Sequence, residues 1–490
     1  MNLYTENDLK LMEDKIDDIM DKIDSKQRDI FEPSRKEVKE VAQIVLDYVK
    51  EKKRKIYGGY ALNKLLISKN PDEAIYDENV IPDIDFYSTE PLQDILNICN
   101  ILHQKGYKYI VGKEALHEET YKIFVNLQDY VDISYVPRNI YHRMPFITID
   151  GLNYIHPNFM MIDQLRAFTD PLSSSYTWYK YITRFFKLQH YFPLKKYTKK
   201  IVKGKDDQEL QDVLTTILSF LVNKETILMV GDYCYNCLTK ENNNVSINKY
   251  EFISTEFKTD SSNLIKLLKE KYSNTEITVE EYYPLWTYLG HNAKIYYKKK
   301  LVAHIYHYNH RCTPFKRIKP LIFKNYKKQE SKSKKDYIQL ASFDVMLMTT
   351  LMMKFHKRVL KESEDYYGIM ITNIIIDRNA YLKENNKTIF DDTIYQEFLI
   401  DCIGKVLEAK RDRQLRIDKK KEAGKPYVWE YRPKRCVKTN PPKYIFRNSS
   451  GNKVNNIRNL KLIEDPKETD MGVQETVPCD EIMPKNSRNK

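Results

Sequence analysis

The chain has 490 residues, 42% hydrophobic and 30% charged, a balance that suits a globular protein of roughly two to four domains. No apolar run reaches the ~18–20 residues that a membrane span needs, and residues 1–6 begin nothing like a signal peptide, so a membrane or secreted protein is excluded and a cytoplasmic one expected. The seven cysteines, odd in number and scattered, point to reduced thiols rather than a disulfide framework.

In chain order, Leu11, Ile16, Ile19, Met20 and Ile23 among acids and lysines predict an amphipathic helix that breaks near Pro33. A second helix follows through Val38, Val41, Ile44, Val45 and Tyr48, and both are read as packing helices, the first with partner docking as an alternative. Then comes Tyr57, Gly58, Gly59 and Tyr60, a Gly-Gly turn that opens a helix, where backbone amides can approach phosphates. Asp83 and Asp85 follow on a strand whose period of two turns both carboxylates to one face and Ile84 into the core. A further strand carries Asp132 on one face with Tyr130 and Ser134, while Val131, Ile133 and Tyr135 share the other. Each piece alone is better explained by an ordinary turn or a solvated strand; together they read as a triphosphate and divalent-metal site. Residues 159–165 and 173–192 read as helices, the second with Trp178, Lys180, Arg184 and Lys187.

The next segments repeat the first. Residues 56–65 align without a gap on 229–238, placing Gly58 on Gly231, Gly59 on Asp232 and Ala61 on Cys234. Residues 83–90 align on 249–256, so that Asp83 becomes Lys249 and Asp85 becomes Glu251, and the later strand aligns Asp132 on His304. The pattern reads as one fold present twice, with the carboxylates kept only in the first copy. Cys234 and Cys237 with His304, His307, His310 and Cys312 offer zinc-type ligands, but a single Cys-x-x-Cys is weak, and packed cysteines with a strand histidine are the preferred reading. Residues 324–335 read as a lysine-rich loop, and 340–360 as a buried helix whose methionines are core.

The basic charge is concentrated near the end. Between Lys410 and Lys461 seventeen Lys and Arg stand against four Asp and Glu, a surplus equal to the whole chain's net +13. There Tyr427, Trp429, Tyr431, Tyr444 and Phe446 interleave with Arg432, Lys434, Arg435, Lys443 and Arg447, a mixture suited to stacking bases and pairing phosphates of single-stranded RNA. A solvated tail anchored by its aromatics is an equal alternative. The last residues, rich in proline and polar side chains, are expected to be disordered.

The three-part pattern of Gly58 and Gly59, Asp83 with Asp85, and Asp132 resembles the DNA polymerase beta-like nucleotidyltransferase superfamily. Over roughly residues 50–400 the chain resembles, more narrowly, the catalytic poly(A) polymerases of poxviruses and giant DNA viruses. The gap between Gly59 and Asp83 is longer than in compact members and implies a loop inserted around Ser68 to Pro71. The resemblance implies that Asp83, Asp85 and Asp132 hold two Mg2+ or Mn2+ ions, and that Gly58 and Gly59 form the phosphate-side turn. It also makes Lys180 and Arg184 candidates for contacts to the incoming ATP, with a solvated cationic helix face as the plain alternative.

These readings give an α/β chain with a nucleotidyltransferase fold duplicated in tandem and the second copy degenerate. The expected parts are N-terminal helices (1–50), a catalytic domain (51–205), a degenerate domain (206–400), a basic RNA-contacting extension (401–465) and a disordered tail (466–490). The expected activity is template-independent transfer of adenylates from ATP to the 3′ end of mRNA with release of pyrophosphate. A homodimer or a separate processivity subunit is left open. The rival classes are a small-molecule enzyme making oligoadenylates or dinucleotides, which needs no basic extension, and a non-catalytic RNA-binding protein, which needs no carboxylates.

Overall fold

A computed structural model describes residues 3–31, 35–76, 80–115, 120–201, 208–282, 290–307, 311–324, 327–330, 335–355 and 364–404, with short pieces between 414 and 436. The first helix, Glu6–Phe31, is exposed along its described side chains except for the half-buried Ile16, and the second, Arg35–Glu51, buries Val41, Val45, Tyr48 and Val49. Hydrophobic side chains at three- and four-residue spacing explain that burial, because they share one helical face.

Two mixed sheets carry the rest. In the first, nine strands run in the order Arg435–Cys436, Glu430–Arg432, Val111–Glu114, Thr120–Val125, Gln128–Tyr135, Ile84–Ser88, Lys55–Tyr57, Leu152–Ile155, Phe146–Ile149. In the second, eight strands run Ile277–Tyr282, Asn292–Tyr297, Lys300–His307, Tyr250–Ser254, Ile227–Val230, Ile338–Ala341, Thr313–Ile318, Cys402–Ile403.

The two sheets repeat strand by strand. Gln128–Tyr135 lies parallel to Ile84–Ser88, which lies antiparallel to Lys55–Tyr57, which lies parallel to Leu152–Ile155. Lys300–His307, Tyr250–Ser254, Ile227–Val230 and Ile338–Ala341 follow the same sequence of orientations. Helix Gly58–Ile67 matches Gly231–Leu238, and Pro91–Gln104 matches Phe257–Lys271. Even the turn that leads into Pro91–Gln104 and Phe257–Lys271 repeats: Ser88 accepts from the Glu90 N–H at 2.8 Å, and Ser254 from the Glu256 N–H at 3.1 Å. The duplication foreseen from three short segments therefore extends through the fold. The copies meet through Pro157–Phe168 and Phe343–Phe355, where the Phe159 and Phe355 rings lie 5.4 Å apart.

Several expectations need correction. Cys312 and Cys402 form a disulfide with Cα atoms 5.1 Å apart, so the thiols are not all reduced; pairing of Thr313 with Ile403 brings together residues 90 apart in sequence. Residues 338–341 form a strand, and the buried methionine-rich helix begins only at Phe343. The lysine-rich loop contains a hairpin, Leu321–Lys324 against Lys327–Glu330. The expected disordered tail, 466–490, lies outside the described residues.

Candidate active site

Two sheet registers build the site. Tyr57 pairs with Asp85 across the antiparallel ladder, so the turn after Tyr57 arrives beside that carboxylate. Asp85 pairs with Asp132 across the parallel ladder, and Ile84, fully buried, anchors the strand from the opposite face. Ligand oxygens of Asp83, Asp85 and Asp132 come within 4.8 Å of one another. Gly58 adopts φ +71°, and a Cβ there would lie 1.9 Å from Asp85 Oδ2; only glycine lets the chain turn this close to the carboxylate. The Gly59 N–H, at the start of helix Gly58–Ile67, donates to Asp85.

Crowding of like charge shows in the proton affinities. Burial, then Asp83 and Asp132, push the Asp85 carboxyl well above its ordinary range, against the pull of Lys122 and the Gly59 N–H. Burial likewise raises Asp132 to about 6, opposed by Lys122. Lys122 itself was not singled out as a site residue from the sequence. It sits opposite Asp132 on Thr120–Val125, with Nζ 2.7 Å from Asp132 Oδ1 and 2.5 Å from Asp129 Oδ2. Burial works against its charge, but the bonds to Asp129 and Asp132 prevail and hold the ammonium above the ordinary lysine range.

The donor set fits a hard divalent cation. Asp132 Oδ1 is buried and, despite its ion pair with Lys122, lacks a partner with hydrogen-bond geometry, and a group of carboxylates that raise one another's proton affinity is stabilised by a cation. Asp83, Asp85 and Asp132 are the residues that could hold it.

Lys180 and Arg184 lie at this cleft. They project from Trp178–Tyr191, and Arg184 Nη2 would be 3.4 Å from a Cβ on Gly59. The Lys180 ammonium is lowered by burial and by Arg184, and drawn the other way by Asp83 and Asp85. Arg184 donates to the Tyr76 hydroxyl at 3.2 Å, and that hydroxyl stands 2.0 Å from the position of a Gly59 Cβ. The inserted loop is thus pinned over the turn rather than hanging free. Glu73 accepts from Lys187 at 2.7 Å and from Tyr191 at 3.1 Å, and Asn70 donates to Tyr191 at 3.3 Å. Neither Tyr76 nor Glu73 carried a sequence signal beyond the length of the insert.

The second copy preserves the frame and changes the charge. Gly231 has φ +62°, and a Cβ there would lie 2.2 Å from Glu251 Oε2. Val230 pairs with Glu251 and Glu251 with His304, as Tyr57 does with Asp85 and Asp85 with Asp132. Lys249 Nζ stands 3.6 Å from Glu251, and His304 engages Asn292 and Tyr306, each at 2.9 Å. Burial, then Lys294 and Lys249, hold the His304 imidazole well below its ordinary range. The Tyr366 hydroxyl donates to Asp232 at 2.7 Å, much as Tyr76 covers Gly59. Of the zinc-type ligands, Cys234 and Cys237 are buried in helix Gly231–Leu238, Cys312 is tied up in the disulfide, and His310 lies outside the described residues.

The basic extension is described only in part. Glu430–Arg432 adds to the first sheet beside Val111–Glu114, with Tyr431 buried and its hydroxyl donating to Asn100 at 2.7 Å. Tyr431 is therefore a packing residue. Arg432 pairs with Glu430, and Arg435 faces Arg432 across the short ladder. Lys434, Lys443 and Arg447 lie outside the described residues.

Comparison with known proteins follows the same division of the chain. A family model described as poly(A) polymerase catalytic subunit matches residues 43–174, and a second, described as the C-terminal part of the putative poly(A) polymerase catalytic subunit of APMV, matches 186–464. The putative poly(A) polymerase catalytic subunit of Acanthamoeba polyphaga mimivirus is 33% identical over 489 residues, covering 92% of this chain and 83% of the relative. Its namesake in African swine fever virus (strain Badajoz 1971 Vero-adapted) is 30% identical over 138 residues, 28% of this chain and 29% of the relative. The crystal structure of the Megavirus polyadenylate synthase superposes with a TM-score of 0.74 at 33% identity, covering 94% of each chain. With one model spanning more than half of its length and the mimivirus relative matched across most of both sequences, the chain belongs to the poly(A) polymerase catalytic-subunit family of large DNA viruses.

Proposed function

We propose that this chain adds adenylates from ATP to RNA 3′ ends without a template, using the cleft formed by Asp83, Asp85, Asp132 and the Gly58–Gly59 turn. The observation that carries the reading is the direct pairing of Asp85 with Asp132 beside the left-handed Gly58, which the second copy repeats in geometry but not in charge. Two divalent ions, Mg2+ or Mn2+, held by Asp83, Asp85 and Asp132 would supply activation of the 3′ hydroxyl and neutralisation of the triphosphate.

The chain's own residues do the remainder. The start of helix Gly58–Ile67 would offer a triphosphate the positive end of the helix dipole. Arg184 and Lys180 offer cations beside the glycine turn and the carboxylates, and the Tyr76 hydroxyl competes with a phosphate for the Arg184 Nη2 donor. Asp132, beside Asp85 across the ladder, would take the proton of the attacking hydroxyl once a bound metal holds its carboxylate ionised. In this reading residues 51–205 are the catalytic domain and 206–400 a scaffold, since a Lys249–Glu251–His304 cluster offers one carboxylate, already paired with a lysine, in place of three and would not hold a metal pair. Arg432, Lys434, Arg435, Lys443 and Arg447 belong to an RNA-contacting extension, and work in the host cytoplasm, with or without a partner subunit, completes the reading.

The test is incubation of the purified chain with a labelled RNA primer, Mg2+ or Mn2+, and each nucleoside triphosphate separately. Long products with ATP alone are expected. No extension by any nucleotide under either metal would overturn the reading.

A further inference from the structure

We propose that the outer face of helix Trp178–Tyr191 is a stacking platform for the last bases of the RNA strand whose 3′ end enters the cleft. The proposal rests on the reading of that cleft as the transfer site, and it gives the primer a track separate from the basic C-terminal extension.

The helix has three faces. Ile182, Phe185 and Leu188 pack inward, and the Trp178 indole donates to the Ala167 carbonyl at 2.9 Å. Lys180, Arg184 and Lys187, at four- and three-residue spacing, form a second row turned to the triad, the glycine turn and Glu73. The third row needs explanation. Tyr176, just before the helix, Tyr179 and Phe186 are 87%, 85% and 64% exposed. Tyr179 and Phe186, seven residues apart, share one face of the helix beside the cationic row, and Tyr176 precedes them in the turn that leads into it.

A row of large rings left in water marks a surface that is covered in use. What covers it is indicated by its neighbours. One turn of the helix away stand the cations that line the cleft, and exposed Lys195 and Lys196 follow where the helix ends. A polyanion carrying flat aromatic bases complements that pairing of rings with cations, and every base has a π-face to stack whatever its sequence. From Tyr179 to Phe186 the helix advances about 10.5 Å, the length of about three nucleotides at 3.4 Å each. The row runs alongside Lys180 and Arg184, which stand at the carboxylates and the glycine turn, so a strand stacked on it passes beside the cleft.

The experiment uses the full chain and a 5′-fluorescein-labelled oligo(A) of ~15 nucleotides, read by anisotropy at fixed salt. Tyr179→Ala combined with Phe186→Ala should raise the dissociation constant roughly tenfold or more, and in primer extension should raise KM for RNA while KM for ATP stays within about twofold. Tyr179→Phe, which keeps the ring, should restore most of the affinity when paired with native Phe186. In Tyr179→Trp, oligo(A) should quench the new indole. Wild-type affinity in the double alanine variant, with no quenching of the indole, overturns the platform. So does a change of mass in light scattering with oligo(A) binding untouched, which would make the face a protein-docking surface. If the wild-type chain binds oligo(A) but extends it with no nucleotide, the transfer reading fails; if it extends and the variant binds equally, the platform alone fails.

Discussion

Lys122 and Asp132 face one another across an antiparallel ladder, with Nζ 2.7 Å from Oδ1, while the same ammonium also holds Asp129. Any cation that the triad takes up must share Asp132 with Lys122. Both side chains are about a quarter exposed or less, so the pair contributes about 0.5–1 kcal/mol. Lys122→Met should therefore bind Mn2+ about two- to fivefold more tightly, measured by electron paramagnetic resonance titration. Asp129→Asn should act in the opposite direction, because Lys122 would then pair with Asp132 alone. Weaker Mn2+ binding in Lys122→Met would mean that the lysine orients Asp132 instead of competing for it.

The crowded carboxyls make metal-free stability depend on pH in a definable direction. Asp85 is raised well above its ordinary value by burial, Asp83 and Asp132, and Asp132 is raised from 3.8 to about 6 by burial first. A carboxyl whose folded pKa exceeds the unfolded one binds its proton more readily in the folded state. Its stabilising contribution is complete below about pH 4 and lost as pH rises through about 6. In EDTA, Asp85→Asn should raise the melting temperature at pH 7.5, with the gain fading as the pH falls and the native carboxyl takes up its proton. Saturating Mn2+ should reverse the order, stabilising the wild type more than the variant. A variant less stable than wild type in EDTA at pH 7.5 would contradict the crowding.

The parts of the site that were legible in the sequence are those whose chemistry lies in residue type and short spacing. Gly58, Gly59, Asp83 and Asp85 needed only a turn and a strand of period two, and the echo at Gly231 and Glu251 needed only an alignment. Lys122 was invisible as a partner of Asp132 because its place depends on the register of two strands. Tyr76 was invisible because its position depends on how an insert folds back on a helix over a hundred residues later. The disulfide joins residues 90 apart, and no local pattern announces such a pair. Leu340 was assigned to a helix because Ile338–Ala341 and Phe343–Phe355 form one apolar run, in which a buried strand and a buried helix have the same composition. The aromatics of the basic segment were ambiguous for a related reason: Tyr431, alike in sequence to its neighbours, is held in the core by Asn100.

Arg184 is claimed by the Tyr76 hydroxyl at 3.2 Å, above the glycine turn. A triphosphate competes with that hydroxyl for the Nη2 donor, and a hydrogen bond to a charged group contributes about 1.5–3 kcal/mol. Arg184→Ala should raise KM for ATP about tenfold or more, with kcat for bound substrate less affected. Tyr76→Phe, which frees the guanidinium without moving the ring, should lower KM for ATP by a few-fold. Steady-state extension of a saturating primer separates the two. An increase in KM for ATP in Tyr76→Phe would make the hydroxyl a direct contact of the nucleotide.

The second copy supplies a control for the glycine turn. Tyr57 and Val230 share φ −131° and ψ −164°, and each is followed by a left-handed glycine packed on an acidic side chain. A Cβ on Gly58 would lie 1.9 Å from Asp85 Oδ2, and one on Gly231 2.2 Å from Glu251 Oε2. Backbone strain should therefore be equal in the two alanine variants, about 1–2 kcal/mol, with a further loss as each carboxylate yields. Gly58→Ala and Gly231→Ala are expected to lower the melting temperature by similar amounts in calorimetry. Their chemistry should diverge. Gly58→Ala forces Asp85 from its place opposite Asp132 and should abolish Mn2+ binding and nucleotide transfer together, whereas Gly231→Ala displaces only a glutamate already paired with Lys249 and should keep both. Equal loss of transfer in the two variants would mean that the second copy takes part in the chemistry, and that its exchange of carboxylates for Lys249 and His304 serves catalysis rather than scaffolding.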